Sequence, residues 1–266
     1  MLTKSRPFLI TNTMYKILAN TIFLGKDVQF LSECHSTNDI ALSMVKNHHA
    51  HEGTIVITDH QLQGRGQRGN KWLTERGMNL TFSIVLKPNF LDISEQFYLN
   101  MTISNGIHRL LQGYIPNIKI KWPNDLTLPD YGKTGGILIE NTFSSEGWEY
   151  AVVGIGINVN QVNFENPKAT SLTNITGSKF ELPELFRLLV TQIEQSYLQL
   201  KRGKWTEIKS EYIHHLYLRD VWADYLDSSG HFKGKIIGIS PQGKLEMTRE
   251  NTDIQVFDFK EVKFMN

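Results

Sequence analysis

The sequence has 266 residues, 40% of them hydrophobic, which is enough to bury a full core in one large domain, with or without a small companion. Its 28 Lys and Arg nearly balance 27 Asp and Glu, so the net charge of +1 neither requires nor excludes a nucleic-acid partner, and any anion site must be local. The single cysteine, Cys34, excludes a disulfide framework. With no recognisable signal peptide and no long apolar run, the sequence predicts a cytoplasmic protein that does not span a membrane.

Helices and strands alternate in the first two thirds of the chain, which predicts an α/β or α+β fold. Apolar residues near helical spacing, behind Ser36 or Thr37 as a cap, predict a helix over roughly 38–47. Runs rich in β-branched and aromatic residues predict strands within 53–61, 78–88, 117–125, 134–144 and 149–160. Further helices are expected within 95–114 and 182–203, with a loop over about 161–180.

The sequence changes character near residue 217. From there to residue 266, short strand-like segments are separated by the turn sequences DSSG, SPQG and REN, with no room for helices. This pattern predicts a small β-barrel or β-roll. We therefore expect a catalytic domain over 1–216, with 1–29 as a partly extended N-terminal segment, and a second domain over 217–266.

A glycine-rich loop, GRGQRGNKW at 64–72, matches the dinucleotide-binding pattern G-x-G-x-x-G. Only NKWLTERG separates its last glycine from the next predicted strand, so the crossover helix of a dinucleotide fold does not fit. What remains is a flexible loop that carries Arg65, Arg68 and Lys71 and is followed by Trp72. Amides and guanidinium groups suit a carboxylate and a phosphate, and an indole suits a flat base. A solvated basic turn is the alternative.

Three further segments place polar residues beside glycines or at strand ends. KWPNDL presents Asn124 and Asp125 behind Pro123, which favours a turn, and GKTGGILIE places Lys133 before two glycines. GIGINVN has glycines inside a strand, next to Asn158. Taken singly, Asp125 is typical of an ordinary turn and Lys133 of a solvated lysine. Together the segments indicate a ligand site.

Two other groups of residues are better explained by an ordinary structural role than by a metal site or a catalytic thiol. His48, His49 and His51 lie close together in a polar loop, but without a clear fourth ligand they do not predict a metal site. Cys34 and His35 are neighbours in sequence, whereas catalytic partners usually meet through the fold, so we expect no thiol dyad there.

The order and spacing of five segments resemble those of the biotin protein ligases. These segments are ECHSTND, QLQGRGQRGNKW, KWPNDL, GKTGGILIE and GIGINVN, and the resemblance covers about 30–266. It implies a class II aminoacyl-tRNA-synthetase-like domain with a mixed sheet, followed by an SH3-like barrel. It also implies a reaction in which biotin and ATP form biotinyl-5′-AMP with release of pyrophosphate. Biotin then passes to a lysine of a carboxyl-carrier domain.

The resemblance also implies a role for each residue that matches the family's motifs. Those similar to the biotin ring site are Ser36, Thr37, Asn38 and Gln61. Those similar to the loop over the adenylate are Gly64, Arg65, Gly66, Gln67 and Arg68, with Trp72 on the adenine side. Those similar to residues on the nucleotide side and in the walls of the biotin and adenosine sites are Asn124, Gly136, Gly156 and Asn158. The implied catalytic groups are Lys133, Arg65 and Asp125. Where many family members have a second loop arginine, this chain has the uncharged Gln67.

The implied substrates are biotin and ATP, with Mg2+, and the implied partner is a biotin carboxyl-carrier domain. We expect no nucleic-acid or membrane partner, and a homodimer remains open. The main alternative is a lipoate or octanoate ligase, which would favour an apolar tunnel over the polar HSTN segment. A biotin-responsive repressor is the second alternative. About 30 residues precede ECHSTND and contain no helix-turn-helix pattern, so a monofunctional ligase is favoured.

Overall fold

The computed structural model of the protein describes residues 20–145, 147–250 and 253–265, apart from the side chain of Arg68. Most of the expected N-terminal segment, residues 1–19, therefore lies outside the described residues. The described helices are α1 (Thr37–Lys46), α2 (Phe97–Leu111), α3 (Leu172–Thr176), α4 (Leu182–Lys201) and α5 (Trp205–His214). None of these helices has both the length and the apolar character needed to cross a membrane.

A mixed sheet of seven strands forms the centre of the molecule, in the order β1-β2-β3-β7-β6-β5-β4. The strands are β1 (Val28–Leu31), β2 (Ile55–Thr58), β3 (Leu80–Leu86), β4 (Lys119–Lys121), β5 (Asp125–Leu128), β6 (Gly132–Ser144) and β7 (Gly147–Ile157). Strands β1 and β2 are parallel, whereas the other neighbouring pairs are antiparallel. The expected mixed α/β fold is therefore confirmed.

Helices cover both faces of this sheet, which explains why its central strands are apolar at almost every position. All seven residues of β3 are buried. On one face, Val56 and Val85 pack with Ala41 of α1. On the other face, Phe82 packs edge to face against Phe186 of α4, with ring centroids 5.1 Å apart. The sheet thus presents its strand ends, rather than its faces, to solvent.

The apolar face of α4 packs against α2 and the sheet. Leu185, Leu189, Ile193 and Leu200 are each at most 3% exposed. A Cβ at Gly106 of α2 would lie only 3.0 Å from the Cα of Ile193, so this glycine permits the close approach of the two helices.

A second, antiparallel sheet of five strands follows in the order β11-β10-β9-β8-β12. Its strands are β8 (Trp222–Asp227), β9 (Gly230–Ile239), β10 (Leu245–Arg249), β11 (Gln255–Phe257) and β12 (Lys263–Phe264). This confirms the expected small all-β region at the end of the chain. The division of the chain at residue 217 stays a prediction.

The second sheet is anchored to the first next to the KWPND segment. The indole N–H of Trp122 donates to the carbonyl of Gly243 at 2.9 Å, and the Trp122 ring lies 5.1 Å from that of Phe259. Gly243 has φ +84°, and a Cβ there would lie 2.2 Å from Cγ of Phe97. Glycine is therefore required at this contact by both conformation and space.

The sequence did not reveal four elements, of which three are short. Strands β1 and β5 have four residues each, and α3 has five, which is too short for a periodicity to show. Helix α3 lies inside the expected loop over 161–180. Helix α5 has only two fully buried residues, Ile208 and Tyr212, so its apolar pattern is weak.

Candidate active site

A cavity of about 230 Å3, here called the central cavity, opens over the glycine-containing parts of β6 and β7. The predicted site residues that line it are Ser36, Thr37, Asn38, Gln61, Arg65, Gly66, Gln67, Trp72, Asn124, Asp125, Lys133, Gly136 and Gly156. The fold therefore brings five separate sequence segments to one place. Gly64 and Asn158 do not line this cavity, and the Arg68 side chain lies outside the described residues.

One side of the central cavity is a polar recess formed by Thr37, Asn38 and Gln61, each less than 9% exposed and supported by the buried Ser83. The carboxamide oxygen of Gln61 accepts from the backbone N–H of Thr37 at 2.8 Å and from its hydroxyl at 3.2 Å. Ser83 Oγ lies 2.7 Å from the hydroxyl of Thr37 and 2.6 Å from the amide oxygen of Asn38. This network fixes the recess in one arrangement before any ligand arrives.

Ser83 and Glu140 belong to this network but were missed from the sequence. The amide N–H of Asn38 donates to Oε2 of Glu140 at 2.7 Å. A signal existed for each residue. Ser83 is a polar residue at the centre of the mostly apolar strand β3, and Glu140 ends the GKTGGILIE segment.

The strand glycines let side chains lie directly on the sheet. A Cβ at Gly154 would lie 2.4 Å from the amide oxygen of Asn38. One at Gly156 would lie 2.4 Å from the indole of Trp72. These distances confirm that the glycines inside the strand mark close approach, as GIGINVN indicated.

The glycine-rich loop connects the antiparallel strands β2 and β3, without a crossover helix. The connection therefore lacks the parallel strand pair and crossover helix of a dinucleotide-binding unit, as the short spacing predicted. The loop folds back on itself, because Trp72 N–H donates to Gly64 O at 2.9 Å and Gly66 N–H donates to Asn70 O at 2.7 Å. A Cβ at Gly64 would lie 2.3 Å from the carbonyl oxygen of Trp72, so its role is to close the loop.

Arg65 is held by two carboxylates that the sequence did not point to. Its Nη2 lies 2.5 Å from Oδ1 of Asp39 and 3.2 Å from Oε2 of Glu140. The side chains of Arg65 and Asp39 are 45% and 51% exposed, so solvent screens their attraction. An anionic ligand could therefore replace one of these partners at little cost.

Lys133 lies where three cavities meet. Its Nζ is 2.6 Å from Oδ1 of Asp125 and 5.5 Å from the centroid of the Trp72 ring. Besides the central cavity, it lines a second of about 390 Å3 with Lys121 and Lys168, here called the lysine cavity. It also lines a third of about 750 Å3, here called the outer cavity, which contains Trp72 and Asn158.

Asn124 and Asn158, two of the three predicted asparagines, act through the backbone around them. Asn124 Nδ2 donates to the carbonyl of Ile137 at 2.5 Å, while the Ile137 N–H donates back to Asn124 O at 3.0 Å. Asn158 Nδ2 donates to Thr170 O at 3.0 Å and is 3% exposed. These contacts brace strand β6 and the loop beside Lys133, which is a positioning role.

Phe259 and Lys260, which follow β11, also line the central cavity. They come from the C-terminal region, and no motif in the sequence predicted them.

The Cys34 thiol is buried, and burial raises its pKa, which agrees with a packing role rather than a nucleophilic one.

Together, the fold and the site define a mixed-sheet domain that holds a recess for a small polar molecule beside a lysine-rich anion site. The model of the "Biotin/lipoate A/B protein ligase family" matches residues 31–158. The structure of biotin protein ligase from Aquifex aeolicus in complex with biotin and ATP is similar, with a TM-score of 0.73 and 27% identity over 90% of this chain and 98% of that one. The chain is thus similar to the biotin and lipoate protein ligases over the region that carries the central cavity.

Curated relatives are similar over much of the chain. The bifunctional ligase/repressor BirA of Bacillus subtilis is 27% identical over 259 residues, which cover 90% of this chain and 75% of the relative. The biotin–[acetyl-CoA-carboxylase] ligase of Paracoccus denitrificans is 28% identical over 191 residues, covering 69% of this chain and 78% of the relative.

Proposed function

We propose that this protein is a biotin protein ligase. It joins biotin to ATP, forms biotinyl-5′-AMP and pyrophosphate, and transfers the biotinyl group to a lysine of a carboxyl-carrier domain. The observation that carries the proposal is the central cavity, in which the polar recess of Thr37, Asn38 and Gln61 adjoins the Lys133–Asp125 pair. The similarity to biotin ligases over 90% of the chain supports it.

The first step is attack of a biotin carboxylate oxygen on the α-phosphorus of ATP. A new C–O–P linkage forms while the bond to the β-phosphate oxygen breaks, and pyrophosphate leaves with those electrons. Lys133 at the junction of the cavities would draw the carboxylate and the α-phosphate together and stabilise the charge that develops between them. Arg65 would exchange its two carboxylate partners for the substrate's carboxylate and phosphate.

The nucleotide base would lie against Trp72. The indole is held over the backbone of Gly156, and its N–H makes no hydrogen bond within the described structure. A flat ring with an unused donor suits a heterocycle with acceptor nitrogens. Asn158, in the outer cavity, would then lie on the nucleoside side.

The second step is attack of the carrier lysine's neutral amine on the acyl carbon of the adenylate. The C–N bond forms, the bond to the AMP oxygen breaks, and the nitrogen loses one proton. Asp125 lies at the mouth between the central and lysine cavities and is the carboxylate we assign to accept that proton. The glycine-rich loop would exclude water until the carrier arrives.

Magnesium is the ion that ATP normally carries. Mg2+ is usually held by one or two carboxylates together with phosphate oxygens, and Asp125 and Asp130 both line the lysine cavity. This donor set fits the ion, whose role when bound would be to neutralise phosphate charge. We therefore propose that Mg2+ binds together with ATP on the side of the lysine cavity.

The closest rival is activation of lipoate by the same chemistry, because the family model covers both classes. The recess favours biotin, since its buried hydroxyl and amide groups match a ureido ring better than an apolar chain. The test is the mass of a carboxyl-carrier domain after incubation with the protein, Mg-ATP and either biotin or lipoate. We expect the biotinyl adduct with biotin, and equal modification by lipoate would overturn the assignment. The Lys133→Ala protein is the matched control.

A further inference from the structure

The cations that line the central cavity are Arg65, Lys71, Lys133 and Lys260. Two of them, Arg65 and Lys133, are paired with carboxylates, but the carboxylates are placed differently. Asp125, the partner of Lys133, lines the central cavity itself. Asp39, the partner of Arg65, is not among the described residues that line it. Arg65 therefore faces the cavity while its nearest carboxylate lies outside.

The backbone at Arg65 is held by its own loop. Arg65 forms an antiparallel backbone bridge with Lys71, and the N–H of the next residue, Gly66, donates to Asn70 O at 2.7 Å. The side chain, in contrast, is 45% exposed and can rotate between staggered conformations. A change of partner at the guanidinium therefore needs rotation of this side chain and no rearrangement of the backbone around it.

Asp39 is placed so that it can lose Arg65 at little cost. Its side chain is 51% exposed, and within the described residues its one ion-pair partner is Arg65, at 2.5 Å. It lies in the first turn of α1, where the backbone N–H groups of the helix N-terminus stabilise a negative charge. When Arg65 turns away, the Asp39 carboxylate therefore stays hydrated and stabilised by the helix, and only the exposed ion pair is lost.

Glu140, the second carboxylate near Arg65, has a different main contact. Its Oε2 accepts from the amide N–H of Asn38 at 2.7 Å and lies 3.2 Å from Nη2 of Arg65. The Glu140 side chain is 28% exposed, less than that of Asp39. If Arg65 leaves, Glu140 still holds Asn38 in the polar recess. The two carboxylates therefore have separable roles, since Glu140 supports the recess and Asp39 acts on Arg65 alone.

We propose that Asp39 is a positioning residue that competes with the carboxylate of the ligand for Arg65. It holds the guanidinium in the empty protein and binds it again when the ligand leaves. The inference rests on the proposed function, in which Arg65 binds the carboxylate of biotin. Because the pair with Asp39 must be given up first, Asp39 lowers the affinity for a carboxylate ligand. A neutral ligand does not displace Asp39, so its affinity is independent of this residue.

The test compares biotin with its uncharged methyl ester by calorimetry, in the absence of ATP. We expect Asp39→Asn to lower the dissociation constant for biotin about two- to fivefold, which is the range for loss of an exposed ion pair. The dissociation constant for the methyl ester should not change. Asp39→Glu keeps the charge and should bind biotin like the wild-type protein. Asp224→Asn, at an exposed position on β8, is the charge-matched control.

The outcomes separate the two proposals. If the wild-type protein binds biotin and Asp39→Asn binds it equally well, the competition is overturned and the ligase assignment stands. If the wild-type protein does not bind biotin, both are overturned. Equal tightening of biotin and its methyl ester in Asp39→Asn would indicate a change in the recess and would also overturn the competition.

Glu140→Ala tests the division of roles between the two carboxylates. It should weaken binding of the methyl ester, because Asn38 loses the acceptor of its 2.7 Å hydrogen bond, whereas Asp39→Asn should not. Unchanged binding of the methyl ester by Glu140→Ala would show that Glu140 does not support the recess, and the two carboxylates would then not have separate roles.

Discussion

The polar recess and the charged side of the central cavity are built on opposite principles. In the recess, Thr37 and Ser83 are at most 2% exposed, and their hydroxyls hydrogen bond to neighbours. On the charged side, the side chains of Arg65, Lys133 and Asp125 are 30% to 45% exposed and are held by ion pairs. Buried networks hold one geometry, whereas screened ion pairs exchange partners easily. Recognition of the ring is therefore preorganised, while the groups that handle charge can rearrange during the reaction.

The largest effect is expected on the charged side. Lys133→Ala should slow formation of the adenylate about 100- to 1,000-fold, because a charge aimed at the reacting phosphate acts mainly in the transition state. Biotin affinity should change only a few-fold. Single-turnover quench measurements give the rate and calorimetry gives the affinity. An unchanged single-turnover rate would remove Lys133 from the catalytic groups.

A crossed pair of glycine substitutions tests whether the two sides are separate. Gly154→Ala should weaken biotin binding about 10- to 100-fold, because its Cβ would displace the amide of Asn38, 2.4 Å away. Gly156→Ala should instead raise the KM for ATP, because its Cβ would meet Trp72. Steady-state exchange kinetics with each substrate varied in turn measure both. If each substitution harms both substrates equally, the division between recess and charged side is wrong.

Outside the site, a stacked pair of histidines, of which His108 is buried and His215 half-buried, sharpens the comparison. The ring of His108 stacks on that of His215 with centroids 3.8 Å apart, and its Nδ1 has no partner within the described structure. Burial lowers the pKa of His108 and lowers that of His215 to about 4. Between about pH 6.5 and 4 the unfolded chain therefore binds protons that the folded protein excludes, and stability falls as the pH falls.

We expect this pair to remove on the order of 2 kcal/mol from the free energy of unfolding between pH 7 and pH 4.5. Urea unfolding at both pH values measures the loss, and His215→Gln should reduce it. His231→Gln, at an exposed position on β9, is the control. An equal loss in wild-type protein and His215→Gln would assign the acid sensitivity to other groups.

The same contrast explains what could be predicted from the sequence. Some features can be recognised in the sequence alone. These are long periodic elements such as α4 and glycines near polar residues, such as Gly154 and Gly156. Asp39 and Phe259 gave none, because an exposed acid on a helix and an aromatic residue in a β-rich tail are ordinary in their own surroundings. Their part in the site arises only when distant segments meet, which no local pattern records.

The smallest effect is expected at Gln67, where the loop meets the charged side. The loop ends are pinned by the hydrogen bond from Trp72 to Gly64, but ordering the glycine-rich residues between them costs roughly 1 to 2 kcal/mol each. We expect contacts with the bound adenylate to offset this cost, so that biotin and ATP together increase hydrogen-exchange protection over 61–72. Equal protection with and without ligands would mean that the loop is preformed.

Gln67 lines the cavity but brings no charge, so Gln67→Arg should add an attraction to the adenylate phosphate and slow its release a few-fold. A release rate in Gln67→Arg that matches or exceeds the wild-type rate would show that this position does not control retention, and that Arg65 and Lys133 hold the intermediate without it.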